Sequence, residues 1–176
     1  DRNVTAIPDP GFSFDYWLLD GEKRTENPIT ITMDANHTLV PYFVDDIPPE
    51  IGVPMQDPPA DNVQPFQEVR VSVNVTDLGS GLRNVTIIYG YDENWIMTLM
   101  SYNSSTDLYE AKIPGYPANT TIKYKIVAYD NAGNKAQEDN AGQYYVYTVI
   151  PEFSTYATAM AFLALTLLVI ILRKKS

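Results

Sequence analysis

The chain has 176 residues, with twelve lysines and arginines against twenty-two aspartates and glutamates, a formal net charge of −10, one histidine and no cysteine. That acidity excludes a nucleic-acid binder, which needs a basic face to neutralise phosphates. The missing cysteines exclude a disulfide scaffold and any Cys/His metal centre, while 45% hydrophobic content is enough for packed cores in one or two small units.

Residues 1–44 read as a small β unit. The chain starts at Asp1 with neither a Met nor an apolar leader, so it is expected to be the C-terminal part of a longer protein. Aromatic residues lead into Asp20-Gly21, a dipeptide that favours a tight hairpin turn. Residues 29–33 and 38–44 then alternate as strands on either side of Asp34-Ala35-Asn36-His37. Phe12, Phe14, Trp17, Leu39 and Phe43 are the expected core; a sugar-binding platform around Trp17 is the alternative to core packing. Pro41 removes a ladder donor, which places its strand at a sheet edge. The series Gly-Phe-x-Phe-x-x-Trp-x-x-Asp-Gly, Ile-Thr-Ile-Thr-Met and His-Thr-Leu-x-x-x-Phe resembles the divergent internalin B-repeat modules of bacterial and archaeal surface proteins. The resemblance implies a partial B-repeat-like module whose opening strand lies mostly ahead of Asp1.

Residues 45–50, Asp45-Asp46-Ile47-Pro48-Pro49-Glu50, read as a stiff, extended acidic linker. Residues 51–149 then carry short alternating segments at the rhythm of a β-sandwich. Val69, Val71, Val73 and Val75 face one way; Val85, Ile87 and Tyr89 follow after a turn at residues 77–81. A short strand at residues 95–100 and a polar turn at 103–107 lead to the inward set Tyr109, Ala111 and Ile113. Ile122, Tyr124, Ile126 and Ala128 alternate into Asp130-Asn131-Ala132-Gly133-Asn134, and a strand at residues 144–149, apolar on both faces, closes the sheet.

Pro48-Pro49-x-Ile51, Thr121-x-x-Tyr124-x-Ile126-x-Ala128-x-Asp130 and Ala132-Gly133-Asn134 resemble fibronectin type III and related immunoglobulin-like modules of prokaryotic surface proteins. By that resemblance Tyr124 stands at a tyrosine corner, its hydroxyl bonding the backbone near residues 117–119. Asp130 is expected to bond its own turn as an Asx motif. Calcium held by Asp77, Asp130 and a nearby acid is the alternative; no calcium-loop spacing is present, so the turn reading is preferred and no metal site is assigned.

Six Asn-x-Ser/Thr sequons occur, at Asn3, Asn36, Asn74, Asn84, Asn103 and Asn119, where composition alone would give about two. They are candidate glycosylation sites on an external protein. The search for catalysis finds nothing: His37 lies inside a sequon on a turn, the acid pairs Asp45-Asp46, Asp92-Glu93 and Glu138-Asp139 sit in linker or turn contexts, and no glycine loop cradles a phosphate.

The chain ends in a tail that the rest must accommodate. Residues 153–172 carry no charge, and a helix of that length at about 1.5 Å per residue spans a bilayer core of roughly 30 Å. Arg173, Lys174 and Lys175 follow, which by the positive-inside rule puts residues 173–176 in the cytoplasm and the bulk outside. Without that basic end, residues 1–152 carry nine cations against twenty-two acids, a net −13. Pro151-Glu152-Phe153, the apolar run and the basic end together resemble the PEF-CTERM type of archaeal sorting signal. That resemblance implies recognition of Pro151, Glu152 and Phe153 by an archaeosortase, with this chain as substrate.

The expected architecture is therefore all-β, a small partial B-repeat-like module and an immunoglobulin- or fibronectin III-like sandwich, plus one C-terminal transmembrane helix. The expected function is a non-enzymatic stalk and anchor in the cell membrane, single-pass, without cofactors. Its expected partners are membrane lipid, an archaeosortase, and surface-layer or glycan components. The alternatives are an adhesin or carbohydrate-binding module using Tyr91, Trp95, Tyr116, Tyr144 and Tyr145, and accessory domains of a larger surface hydrolase.

Overall fold

The computed structural model describes residues 1–92 and 94–151, and all its regular elements are β-strands. The expected transmembrane helix at 153–172, the residues Glu152 and Phe153, and the basic end Arg173, Lys174 and Lys175 lie outside the described residues. Among the described residues no helix is long and apolar enough to cross a membrane.

In the N-terminal part, β1 (Arg2–Val4) pairs with β4 (Ile29–Ile31), and β2 (Ser13–Leu19) pairs with both β3 (Glu22–Arg24) and β5 (Leu39–Val44). Asp20 and Gly21, with φ of 52° and 88°, form the two-residue turn between β2 and β3. Both values fit the left-handed turn that matches strand twist, which is why Asp-Gly stands there. β5 pairs only with β2, so Pro41 does lie on an edge strand. β1 is the first strand described, and its three residues pair with Ile29–Ile31.

The core of this part differs from the expected set. Ala6, Trp17, Ile29 and Ile31 are buried together, with Val4, Phe14, Leu19 and Leu39 against them. Phe43 is 40% exposed and Phe12 is outside the cluster. A register shift in β2 between Phe14 and Tyr16 lets Phe14 and Trp17 share one face. Phe43, opposite Phe14 on the edge strand, packs edge-on against it at 6.3 Å but stays half open, and β4 supplies Ile29 and Ile31 to the core instead. Trp17 is a core residue: it is 3% exposed, and its indole N–H donates to the Glu26 carbonyl at 3.1 Å.

From residue 50 onward two sheets face each other. One has the order β11-β10-β14-β15, from β10 (Leu82–Tyr91), β11 (Asn94–Leu99), β14 (Thr121–Asp130) and β15 (Lys135–Glu138); β16 (Tyr145–Thr148) also pairs with β14. The other has the order β12-β13-β8-β7, from β7 (Met55–Asp57), β8 (Val69–Val73), β12 (Ser101–Asn103) and β13 (Leu108–Ile113). A small ladder joins β6 (Glu50–Ile51) to β9 (Val75–Thr76), so the end of the expected linker is itself a strand.

The alternation read along the sequence becomes the core. Val69, Val71, Val73 and Val75, Val85, Ile87 and Tyr89, and Ile122, Tyr124, Ile126 and Ala128 are all buried in one cluster. Each fully buried Val or Ile contributes about 1.5–3 kcal/mol of transfer free energy. The facing of the last strand, undecided from sequence, is settled by Tyr147 and Val149, which point inward, while Val146 is exposed. Tyr124 corrects the tyrosine-corner expectation: its hydroxyl donates to Gln56 Oε1 at 3.4 Å, not to backbone near residues 117–119. Opposite Tyr89 and Tyr145 in the ladders, it points toward the facing sheet. The backbone it was to cap is satisfied by Asn119 N donating to the Val149 carbonyl and Val149 N to that of Thr120.

Candidate functional site

One group of buried polar side chains draws attention because burial of charge is costly unless something answers it. The only buried polar or charged residues among those described are Asp45 and Asp130, and they belong to one cluster with Asp77. One carboxylate oxygen from each of the three lies within 4.8 Å of the other two.

Each carboxylate is held by its own loop. Asp45, just past the end of β5, accepts the Ser80 N–H on Oδ2 at 2.7 Å and the Ile47 N–H on Oδ1 at 3.1 Å. Hydrogen bonding from the Ser80 hydroxyl first, then from the Ser80 and Ile47 N–H groups, holds its carboxyl below the usual aspartate range and so keeps it charged. Asp77 Oδ2 accepts the N–H groups of Gly79 (3.1 Å) and Gly81 (2.7 Å), while its Oδ1 is shut off from solvent without a partner. Asp130 Oδ1 accepts from Gly133 (2.6 Å) and Asn134 (2.7 Å), the Asx turn expected from sequence. Asn134 ties the first loop to the third, its amide donating to Asp130 Oδ2 at 2.7 Å and to the Asp45 carbonyl at 3.0 Å.

The cluster sits where the two cores meet. A β-carbon on Gly79 would lie 2.4 Å from the Asp45 Cγ, and one on Gly11 would lie 2.4 Å from the Leu78 carbonyl carbon. Only glycine permits both approaches. Asp45 is therefore not the solvated linker acid that Asp45-Asp46 implied; Asp46 is, exposed and accepting from the Ser13 hydroxyl at 2.8 Å.

His37 lies apart from this cluster. Its Nδ1 is 2.7 Å from Asp20 Oδ2 and its Nε2 is 3.2 Å from Asp34 Oδ1. The hydrogen bonds to Asp20 and then Asp34 raise the imidazole above its ordinary value. With both ring nitrogens engaged by carboxylates, His37 has no nitrogen free to activate a nucleophile.

The aromatic residues considered for sugar binding do not form one platform. Trp95 stands opposite Gly90 and Tyr91 opposite Asn94, so the two rings project from opposite faces of the sheet. Tyr91 packs edge-on against Tyr116 at 5.3 Å, beside a cleft of about 470 Å³ that also reaches Asn119 and Thr121. Trp95 lies 5.2 Å from Tyr144, with the Lys125 ammonium 5.6 Å from the Tyr144 ring centre. Tyr145 stacks on Tyr124 and donates to Glu138 Oε1 at 2.8 Å, so it serves the sheet. Of the six sequons, Asn3, Asn36, Asn74 and Asn119 are exposed, while Asn84 and Asn103 are half-buried. The Asn103 amide already donates to Glu110 Oε1 at 2.9 Å. Pro151 is exposed at the end of the described chain.

Comparison with known proteins bears on the N-terminal part. Residues 1–46 match the family model for the divergent InlB B-repeat domain. The match covers β1 to β5 and ends at Asp46, one residue past the buried Asp45. No curated protein matches the chain.

Proposed function

We propose that this chain is the non-enzymatic stalk and anchor region of a membrane-tethered cell-surface protein. The observation that carries the reading is the B-repeat match over residues 1–46, since a B-repeat-like domain points toward the cell surface. The two-sheet part that follows is read as an immunoglobulin- or fibronectin III-like module on the strength of its facing sheets and shared core.

The way the chain leaves this module supports the anchor. Ile150 N still donates to the Val63 carbonyl at 2.9 Å, so Pro151 departs directly from the sandwich with no spacer. An apolar run of twenty residues and three cations follow in sequence, the pattern of a single-pass segment with a cytoplasmic end. Pro151-Glu152-Phe153 at that junction is the proposed recognition element for an archaeosortase, and the four exposed sequons are the proposed sugar-bearing positions. The net charge of −13 over residues 1–152 suits a repulsive, soluble outer layer.

The C-terminal mass spectrum of protein purified from its own membranes tests this directly. A mature end near residues 151–153 carrying a lipid-like mass supports a processed anchor, and an intact basic end supports a permanent one. Recovery of the protein in the soluble fraction with an unmodified end would sink both.

A second reading has one observation in its favour, the exposed Trp95 beside Tyr144 on the outer face of the sheet. Such a surface suits stacking on a sugar ring. Glycan-array binding that is lost in Trp95→Ala would establish it; an array that stays silent would remove it.

A further inference from the structure

We infer that Asp45, Asp77 and Asp130 form a calcium site that fastens the end of the B-repeat-like module to the sandwich. The three carboxylates come from three separate stretches of chain, yet an oxygen of each lies within 4.8 Å of the others. Asp45 is 6% exposed and Asp130 is fully buried, so water does little to screen their repulsion. Among the described residues no Lys, Arg or His forms an ion pair with any of the three. Their hydrogen-bond donors are all neutral: backbone amides, the Asn134 side chain and the Ser80 hydroxyl. Neutral donors orient carboxylates but leave three negative charges uncompensated.

An independent observation names the missing partner. Asp77 Oδ1 is closed to solvent and has no donor, although the other oxygen of the same carboxylate takes two. A buried carboxylate oxygen without a donor is costly unless a cation meets it. The donor set is entirely oxygen, with neither imidazole nor thiolate, which selects a hard cation. Ligands gathered from three loops form an irregular shell. Calcium tolerates such a shell, whereas magnesium demands a near-ideal octahedron and keeps its waters.

The consequence is mechanical. Asp45 follows β5 directly, and the other two ligands each open a loop of the sandwich, after β9 and at the end of β14, so one ion would hold three chain segments together. Sites of this kind in external modules work at about 10⁻⁴–10⁻³ M calcium. This inference does not depend on the membrane tail or on its processing.

The test uses the full chain, stripped with chelator and titrated calorimetrically with calcium chloride and, separately, magnesium chloride. We expect one calcium per chain, weaker magnesium binding, and a melting temperature raised by roughly 3–10 °C in about 10 mM calcium. Asp77→Asn, folded as the parent by circular dichroism in chelator, should lose at least tenfold in affinity. No binding heat and no thermal shift in the parent would overturn the site, and undiminished binding in Asp77→Asn would remove it from this cluster. If Asp77→Asn does not fold, hydrogen exchange of the Gly79 to Gly81 amides in the parent decides. Protection should rise with calcium, and unchanged protection overturns the inference.

Discussion

The two halves of the molecule bury their apolar side chains on very different scales. Seventeen buried residues from both sheets make one cluster after residue 50, whereas the part matched by the B-repeat family gathers four, around Trp17. A unit of that size buries too little to be comfortable alone. It compensates at its end, where Gly11 and Asp45 press against residues 78–80 of the larger half. The difference teaches that the smaller core is held as much by its junction as by its interior.

Breaking the smaller core is expected to have the largest effect. Trp17→Ala removes the one large side chain at its centre and the hydrogen bond to Glu26, at a cost of about 3–5 kcal/mol. Hydrogen exchange should then show β2 amides open while β10 and β14 stay protected. Equal loss in both halves would mean that they fold as one unit. Ile126→Ala, at a fully buried position in the larger core, should cost about 2–5 kcal/mol and lower protection across β10, β14 and β16. Denaturant melts of both variants rank them.

Sequence made the larger core legible because its information is local. Alternation of Val, Ile and Tyr along β8, β10 and β14 fixes which face is wet, and the inward sets expected there are the buried ones. The strands without apolar alternation, Met55–Asp57 and Lys135–Glu138, were not legible. They are polar pieces that gain their structure from ladder bonds to β8 and β14. Phe43 misled for another reason: it does stand opposite Phe14, but its strand is the edge of its sheet, which leaves it 40% exposed, and residue types along one strand do not say which strand ends a sheet.

The carboxylate cluster was half legible. Asp77 and Asp130 each stand before a glycine turn, but the third member, Asp45, looked like a linker acid because proximity to Ser80 spans 35 residues. Its one sequence signal is its place just ahead of Pro48-Pro49 at the end of a strand.

The junction itself is tested by Gly79→Ala. The added carbon would meet the Asp45 carboxylate at 2.4 Å, and the loop or the carboxylate must move, at about 1–3 kcal/mol. Loss of protection at β5 and the Ser80 amide, with β14 unaffected, would sharpen the view that the smaller half is stabilised from outside. An unchanged melting profile would contradict it.

The smallest effect expected is a pH dependence confined to the smaller half. His37, drawn upward by its bonds to Asp20 and Asp34, binds its proton more tightly folded than unfolded. Stability from this source is therefore fully present below the ordinary histidine value of about 6.5, and is lost as pH rises through the raised folded value. At the acid side the same contact persists until pH falls through the lowered value of Asp20, whose carboxyl is held down first by the His37 bond and then by the Thr38 N–H. Asp20 is half open to water and His37 partly so, and screening keeps the effect modest. Protection factors of the β2 and β5 amides, taken relative to the intrinsic base-catalysed exchange rate at each pH, should be larger at pH 5.5 than at pH 8, and His37→Gln should flatten that difference. A titration of the His37 ring by NMR supplies the sign independently: a midpoint at or below the ordinary value would mean that the two carboxylates do not hold the ring, and that the turn between β4 and β5 contributes nothing to the smaller core.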